Sequence, residues 1–205
     1  MSRRFAGFLG MVLPLWFSVI YFLVSSLRND YRHFNMAISE LGSIGAPNAS
    51  LWNLLGYIAS GGMIFYLGWV SRSILPKSTL GLIVAWAIAI SGAMMLLSGV
   101  FPGDFENRES TTMILHTSAS ILSYLFFLVG GFGLLKISAK SEIFKGLHYS
   151  LLVMLLLSIV TGFIRYGDMP GLGQRITFAC YLVWIAIFGW VVFRSDASSI
   201  KQEIA

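Results

Sequence analysis

The 205-residue chain carries three histidines and nine Asp and Glu residues, so the side chains able to move a proton or hold a metal ion can be weighed one at a time. Glu40 lies in Ile38-Ser39-Glu40-Leu41-Gly42-Ser43-Ile44-Gly45-Ala46-Pro47-Asn48, a stretch of small and apolar residues. Asp104 ends Phe101-Pro102-Gly103-Asp104, and His116 follows twelve residues later. A histidine with a carboxylate beside it is a general base with its orienting group. Three converging ligands are the minimum for a metal site. No HExxH or other zinc spacing, Walker motif, nucleophile elbow or GxGxxG accompanies them, and the one cysteine, Cys180, can form neither an intramolecular disulfide nor a CxxC site. Metal content and cofactors stay open; if a metal binds, its ligands are Glu40, Asp104 and His116. Each of the three also has a structural alternative. His116 can hydrogen-bond a neighbouring helix, Asp104 can cap a helix or pair with Arg108, and Glu40 can pair with Arg165 or Arg175.

Hydroxyl and amide residues gather around these three. Thr112, His116, Ser120 and then Ser123 or Tyr124 recur at helical spacing and form one polar stripe. Asn53 and Tyr57 stand four apart at the start of another apolar run, and Ser39 precedes Glu40. Arg165 and Arg175 flank Arg165-Tyr166-Gly167-Asp168-Met169-Pro170-Gly171-Leu172-Gly173-Gln174-Arg175, which reads as a tight Gly/Pro turn. Two arginines held close can clamp a phosphate or carboxylate.

The elements that position these residues follow from composition. Hydrophobic residues make up 57% of the chain and charged ones 11%, against about 25% charged in an ordinary soluble domain. That excludes a soluble globular domain and a disordered chain. The net charge of +5 is scattered between apolar runs, which also argues against nucleic acid as a partner. Six apolar runs, about 5–26, 51–70, 79–101, 112–135, 147–164 and 176–193, each approach the roughly 20 residues that cross a bilayer. The expected fold is an all-α membrane protein, a single bundle of six transmembrane helices spanning 1–205. Nine Lys and Arg fall on the side of the termini (Arg3, Arg4, Arg72, Lys77, Lys136, Lys140, Lys145, Arg194, Lys201) and five on the other (Arg28, Arg32, Arg108, Arg165, Arg175). The positive-inside rule then puts both termini in the cytoplasm.

The long loop 27–50 is therefore non-cytoplasmic, and its small residues suit it to fold back onto the mouth of the bundle. Tyr31, Trp52, Tyr66, Trp69, Tyr166 and Trp190, near span ends, read as interfacial anchors. Pro14 predicts a kink in the first helix. Gly81, Ala85, Ala89 and Ala93 make a small-residue ladder for packing within the chain or across a homo-oligomer.

Ile38-Ser39-Glu40-Leu41-Gly42, Ala46-Pro47-Asn48-Ala49, Trp52-Asn53-Leu54-Leu55-Gly56, Phe101-Pro102-Gly103-Asp104, His116 and Gly171-Leu172-Gly173-Gln174-Arg175 resemble a prokaryotic six-span membrane family catalogued as domain of unknown function nine-nine-eight. The chain lacks the Cys that many relatives carry before the Asp of the Phe-Pro motif, which removes a thiolate from any metal set. The layout is similar, more distantly, to the Frag1/DRAM/Sfk1 membrane family, associated with lipid handling. The resemblance implies a six-helix fold in an inner or plasma membrane, and it directs attention to Glu40, Asn53, Asp104, His116 and Arg175.

These readings converge on an outward-facing polar pocket that binds a lipid head group or small molecule, with membrane lipid as the partner. One alternative is an intramembrane lipid hydrolase or transferase using His116 with Glu40 or Asp104, metal-assisted or not. A second is a small proton-coupled transporter.

Overall fold

The computed structural model describes residues 3–144, 146–163 and 169–195. Arg165, Tyr166 and Lys145 lie outside them. Among the described residues the chain is all-helical, with no strand. The six main helices are α1 (Arg3–Ser26), α2 (Ala49–Ser71), α3 (Thr79–Val100), α4 (Thr111–Ser138), α5 (His148–Phe163) and α6 (Pro170–Arg194). Five are long and apolar enough to cross a membrane; α5 is the shorter one. Its 16 residues rise about 24 Å at 1.5 Å per residue, less than a hydrocarbon core of about 30 Å.

Local signals account for the helix ends. Ser78 and Ser110 cap α3 and α4, accepting from the N–H of Gly81 and Met113 at 3.2 Å each. α1 runs unbroken through Pro14. The segment read as a Gly/Pro turn up to Arg175 is different: α6 already begins at Pro170. Proline at the first helical position needs no N–H partner and has the right φ. Gly171, Gln174 and Arg175 are therefore helical.

Consecutive helices pack side by side and α6 closes onto α1, so the bundle is a ring in chain order. The α4–α5 seam is its loosest contact. Without water to drive association, such helices rely on close backbone approach. A Cβ on Gly68 would collide with the backbone of Ala89, and one on Gly61 or Gly92 would meet the facing backbone across the same α2–α3 contact. The small residues of α3 thus pack within the chain. Gly62, one residue away, faces open space. Polar pairs reinforce the apolar contacts. Ser91 and Ser123 donate reciprocally to each other's carbonyls (2.7 and 2.9 Å), and Tyr181 of α6 reaches Ser91 at 2.8 Å. The predicted polar stripe on α4 is in this part a helix-to-helix tie.

The contrast between two glycines of α2 makes a test. Gly68→Ala forces α2 off α3 and is expected to lower the thermal midpoint of the detergent-solubilised protein by many degrees. Gly62→Ala, with helix propensity gained and nothing to strike, is expected to leave it unchanged or slightly raised, by up to about 1 kcal/mol.

Candidate functional site

Loop 27–50 folds back onto one end of the bundle, and its stretch 38–43 is largely buried: Ile38 is 2% exposed, Leu41 0%, Ser39 and Ser43 8% each. A non-helical segment buried this way must find partners for its own N–H and C=O groups. They come from side chains of two helices, from the neighbouring 101–110 loop and from the loop itself. Ile38–Gly42 forms a 3-10 turn, and the Glu40 carboxylate accepts from Ala37 N at 2.7 Å, closing its start. Arg28 Nη1 donates to Glu40 O at 2.5 Å and Ser43 Oγ to the same oxygen at 2.9 Å. Asn53 Nδ2 donates to Gly42 O at 2.9 Å, Gln174 Oε1 accepts from Ile38 N at 2.7 Å, and Ile44 N donates to Gly103 O of the neighbouring 101–110 loop at 2.9 Å.

Arg175 ties the loop to α6 and α1. Its Nε donates to Tyr21 Oη at 2.9 Å, Nη1 to Met36 O at 2.9 Å and Gly171 O at 2.7 Å, and Nη2 to Tyr31 Oη at 2.6 Å. Its Cζ lies 5.5 and 5.6 Å from the ring centroids of Tyr21 and Tyr31. Tyr31 passes the link on to Ala37 O at 3.0 Å, and burial raises its phenol pKa, which keeps it a donor. Tyr21 Oη lies 2.5 Å from Nδ1 of the exposed His33. The close approach of loop and helix needs Gly171, since a Cβ there would strike Met36 O, Phe34 O and the Arg175 guanidinium. At the exposed edge, the Arg28 guanidinium at 3.1 Å holds the Asp30 carboxyl below its usual range.

Beneath the loop, α2 begins with a π-helical stretch, Trp52–Ile58. The wider turn brings Trp52 and Tyr57, five residues apart, edge to face at 5.5 Å. It also turns Trp52, Asn53, Gly56 and Tyr57 all inward. Such π segments recur at functional sites. Tyr57 in turn meets the His116 ring at 6.0 Å. Two polar atoms in this nest are buried with no hydrogen-bond partner, the donor Trp52 Nε1 and the acceptor Asn53 Oδ1. Trp52 is 0% and Asn53 9% exposed. Both side chains abut Gly42, whose Cβ would collide with Asn53 Oδ1 and the Trp52 indole. Ser39 and Trp52 lie near the Tyr57 hydroxyl, which the indole N–H approaches without meeting hydrogen-bond geometry.

His116 is 4% exposed. Its Nδ1 sits 2.8 Å from Ser98 O and 2.9 Å from Phe101 O. Both are acceptors, so Nδ1 carries the proton and Nε2 is the basic nitrogen. The histidine thereby satisfies carbonyls at the C-terminal end of α3 that have no partner within the helix.

The structure gathers Ser39, Asn53, Tyr57, His116 and Arg175 at one end of the bundle. It does not unite the carboxylates with His116. Asp104 Oδ1 accepts from Asn107 N at 2.9 Å and shapes the 101–110 loop. Glu40 closes its own turn, and two carbonyls orient the imidazole instead. Among the described residues no three His, Cys, Asp or Glu side chains group as a metal site. Thr112 pairs with Ser110 at 3.2 Å next to the α4 cap, and Ser120 is half-buried on α4. Arg165 lies outside the described residues, so the expected two-arginine clamp reduces to Arg175, already engaged by four protein oxygens.

Tyr31 and Trp52, read as interfacial anchors, are 6% and 0% exposed. Trp69 and Trp190, at 43% and 40%, do lie on the outside. Tyr21, Gln174 and Arg28 escaped sequence reasoning; the one available signal was their place among polar groups at the ends of apolar runs.

A ring of apolar helices closed at one end by a polar, side-chain-pinned loop defines a helical bundle consistent with an integral membrane protein. The chain belongs to the family described as Protein of unknown function (DUF998), whose model matches residues 11–191. No curated protein and no solved structure matches it.

Removing the guanidinium leaves two backbone carbonyls and two phenols short of a donor. Arg175→Ala is expected to loosen the loop by on the order of 3 kcal/mol, at about 1.5 kcal/mol or more per charge-assisted bond less what water recovers. Hydrogen exchange of the Ala37 and Ile38 amides, read by mass spectrometry, should quicken by about 100-fold, while amides in the middle of α3 keep their rates.

Proposed function

We propose that this chain is a six-span protein of the cell membrane, with cytoplasmic termini, that binds the polar part of a lipid or a small polar molecule beneath loop 27–50. The reading is carried by the unpartnered pair Trp52 Nε1 and Asn53 Oδ1. A buried polar atom without a partner costs about 1–3 kcal/mol, so a ligand supplying one acceptor and one donor there offsets that cost. The ligand is met by neutral hydrogen bonding from Trp52, Asn53, Tyr57 and Ser39, which suits a hydroxyl group, at once donor and acceptor. Arg175 supports the site through the loop and leaves a single N–H uncommitted. The termini follow from the lysine and arginine count, and the sixth span is the short α5.

Native mass spectrometry of the full chain, purified in mild detergent from its membrane, tests this. The wild type is expected to retain a lipid or small-molecule adduct, and Trp52→Phe, which removes the indole N–H and leaves the Asn53 Nδ2 bond to Gly42 O in place, to reduce its occupancy at least tenfold while the thermal midpoint holds. Equal retention by the variant, or a wild type that retains nothing, would sink the reading.

A second reading rests on His116. An imidazole fixed through Nδ1, with Nε2 free of those carbonyls and Tyr57 beside it, has the arrangement of a general base acting on the bound molecule. Asn in its place keeps an N–H for the Ser98 and Phe101 carbonyls and has no basic nitrogen. His116→Asn is expected to retain the adduct of the wild type in either case. If the wild type converts that molecule over hours and the variant does so at least 100-fold more slowly, the protein is an enzyme; matching rates limit it to binding.

A further inference from the structure

The far end of the bundle carries a different kind of site. There the start of α3 and the end of α4 border a concavity of about 680 Å³, lined by Pro76, Leu80, Lys136, Ile137, Lys140 and their neighbours. Its walls are apolar apart from the two lysines and Ser141, and no acidic residue is among the lining. Neither lysine pairs with an acid among the described residues.

The two lysines are the end of a longer stripe. Phe132, Lys136 and Lys140 follow at steps of four along α4 and just past its end, so they share one face. Phe132 is 46% exposed, and Val129, three residues before it, 49%. One face of α4 thus runs from exposed apolar side chains to two ammonium groups beside a concavity. The opposite wall includes Leu80, in the first turn of α3. The N–H groups of a helix's first turn favour an anion.

We infer that this groove holds an anionic phospholipid, with its phosphate between Lys136 and Lys140 and an acyl chain along Phe132 and Val129. The charge sign, the apolar walls and the continuity with a lipid-facing helix surface all match that occupant. A zwitterionic head group would bring its own cation against the lysines. The site is separate from the one beneath loop 27–50 and does not depend on it.

The test is a titration of the delipidated full chain in detergent with phosphatidylglycerol or with phosphatidylcholine, followed by native mass spectrometry. The wild type is expected to bind phosphatidylglycerol preferentially. Lys136→Gln with Lys140→Gln should weaken that binding about 30-fold, about five-fold per lysine, and leave phosphatidylcholine binding unchanged. Arg72→Gln is the control for charge outside the groove, because Arg72 stacks 3.5 Å from the Trp69 ring centroid instead. Equal binding of the two lipids by the wild type would overturn the assignment. So would an equal loss in the Arg72 variant, which would mean a diffuse field, or full displacement of phosphatidylglycerol by millimolar inorganic phosphate, which would make the site one for free anions. Both lysines are exposed, so their replacement leaves the fold intact, and an unchanged thermal midpoint verifies that.

Discussion

Burying non-helical backbone is the constraint on which the rest of this structure depends. A membrane helix satisfies its own N–H and C=O groups, but a loop laid over the end of a bundle cannot. Loop 27–50 meets the demand with imported partners, and Arg175 is the central one. It joins two carbonyls and two phenols from α6, the loop and α1, so loosening that one guanidinium weakens the loop's hold on two helices at once. The helices beside it are shaped to suit. Gly171 lets the loop approach α6, Gly42 lets it approach Asn53, and α2 starts with a π-helical stretch that turns four residues inward. The polar end is an agreement among several local irregularities, each of which would be a defect in an isolated helix.

The same constraint operates more quietly in the bundle. Ser91 and Ser123 exchange hydrogen bonds across the α3–α4 contact and add Tyr181 from α6. Tyr124, Ser158, Thr161 and Thr177 link α4, α5 and α6 by bonds of 3.0 to 3.3 Å. Tyr124–Ser158 crosses the loosest seam of the ring, and the two threonine bonds tie α5 on its other side to α6. Where backbones do not approach closely, hydroxyls supply the specificity that glycines supply between α2 and α3.

Periodicity and run length carried the helices. The expected 79–101 and 5–26 fall within a few residues of Thr79–Val100 and Arg3–Ser26. The start of α6 was misread because glycine and proline serve two purposes. Pro170 begins a helix and Gly171 permits a loop contact, yet both also spell a turn. The candidate site was legible as a list of polar residues at one end, and the fold-back of loop 27–50 followed from its small residues. The partnerships were not legible. A sequence shows that Glu40, Asp104 and His116 are ionisable; it does not show that backbone groups, available at every position, have already claimed all three. Tyr31 and Trp52 look like interfacial anchors by type, and only the third dimension shows that an arginine and a π-helical turn bring them inside.

The two ends of the molecule handle charge in opposite ways. At the looped end the Arg175 and Arg28 guanidiniums are engaged by protein oxygens, and what is left without partners is neutral: an indole N–H and an amide oxygen. At the far end Lys136 and Lys140 stand exposed beside apolar walls. Charge held by the protein organises, whereas charge left free recruits. On that logic a ligand at the looped end would be chosen by hydrogen-bond geometry, and a lipid at the far end by charge sign together with the apolar walls. A lipid seated in the Lys136–Lys140 groove would lie along α4, the helix that also carries His116 and the Ser123 and Tyr124 ties.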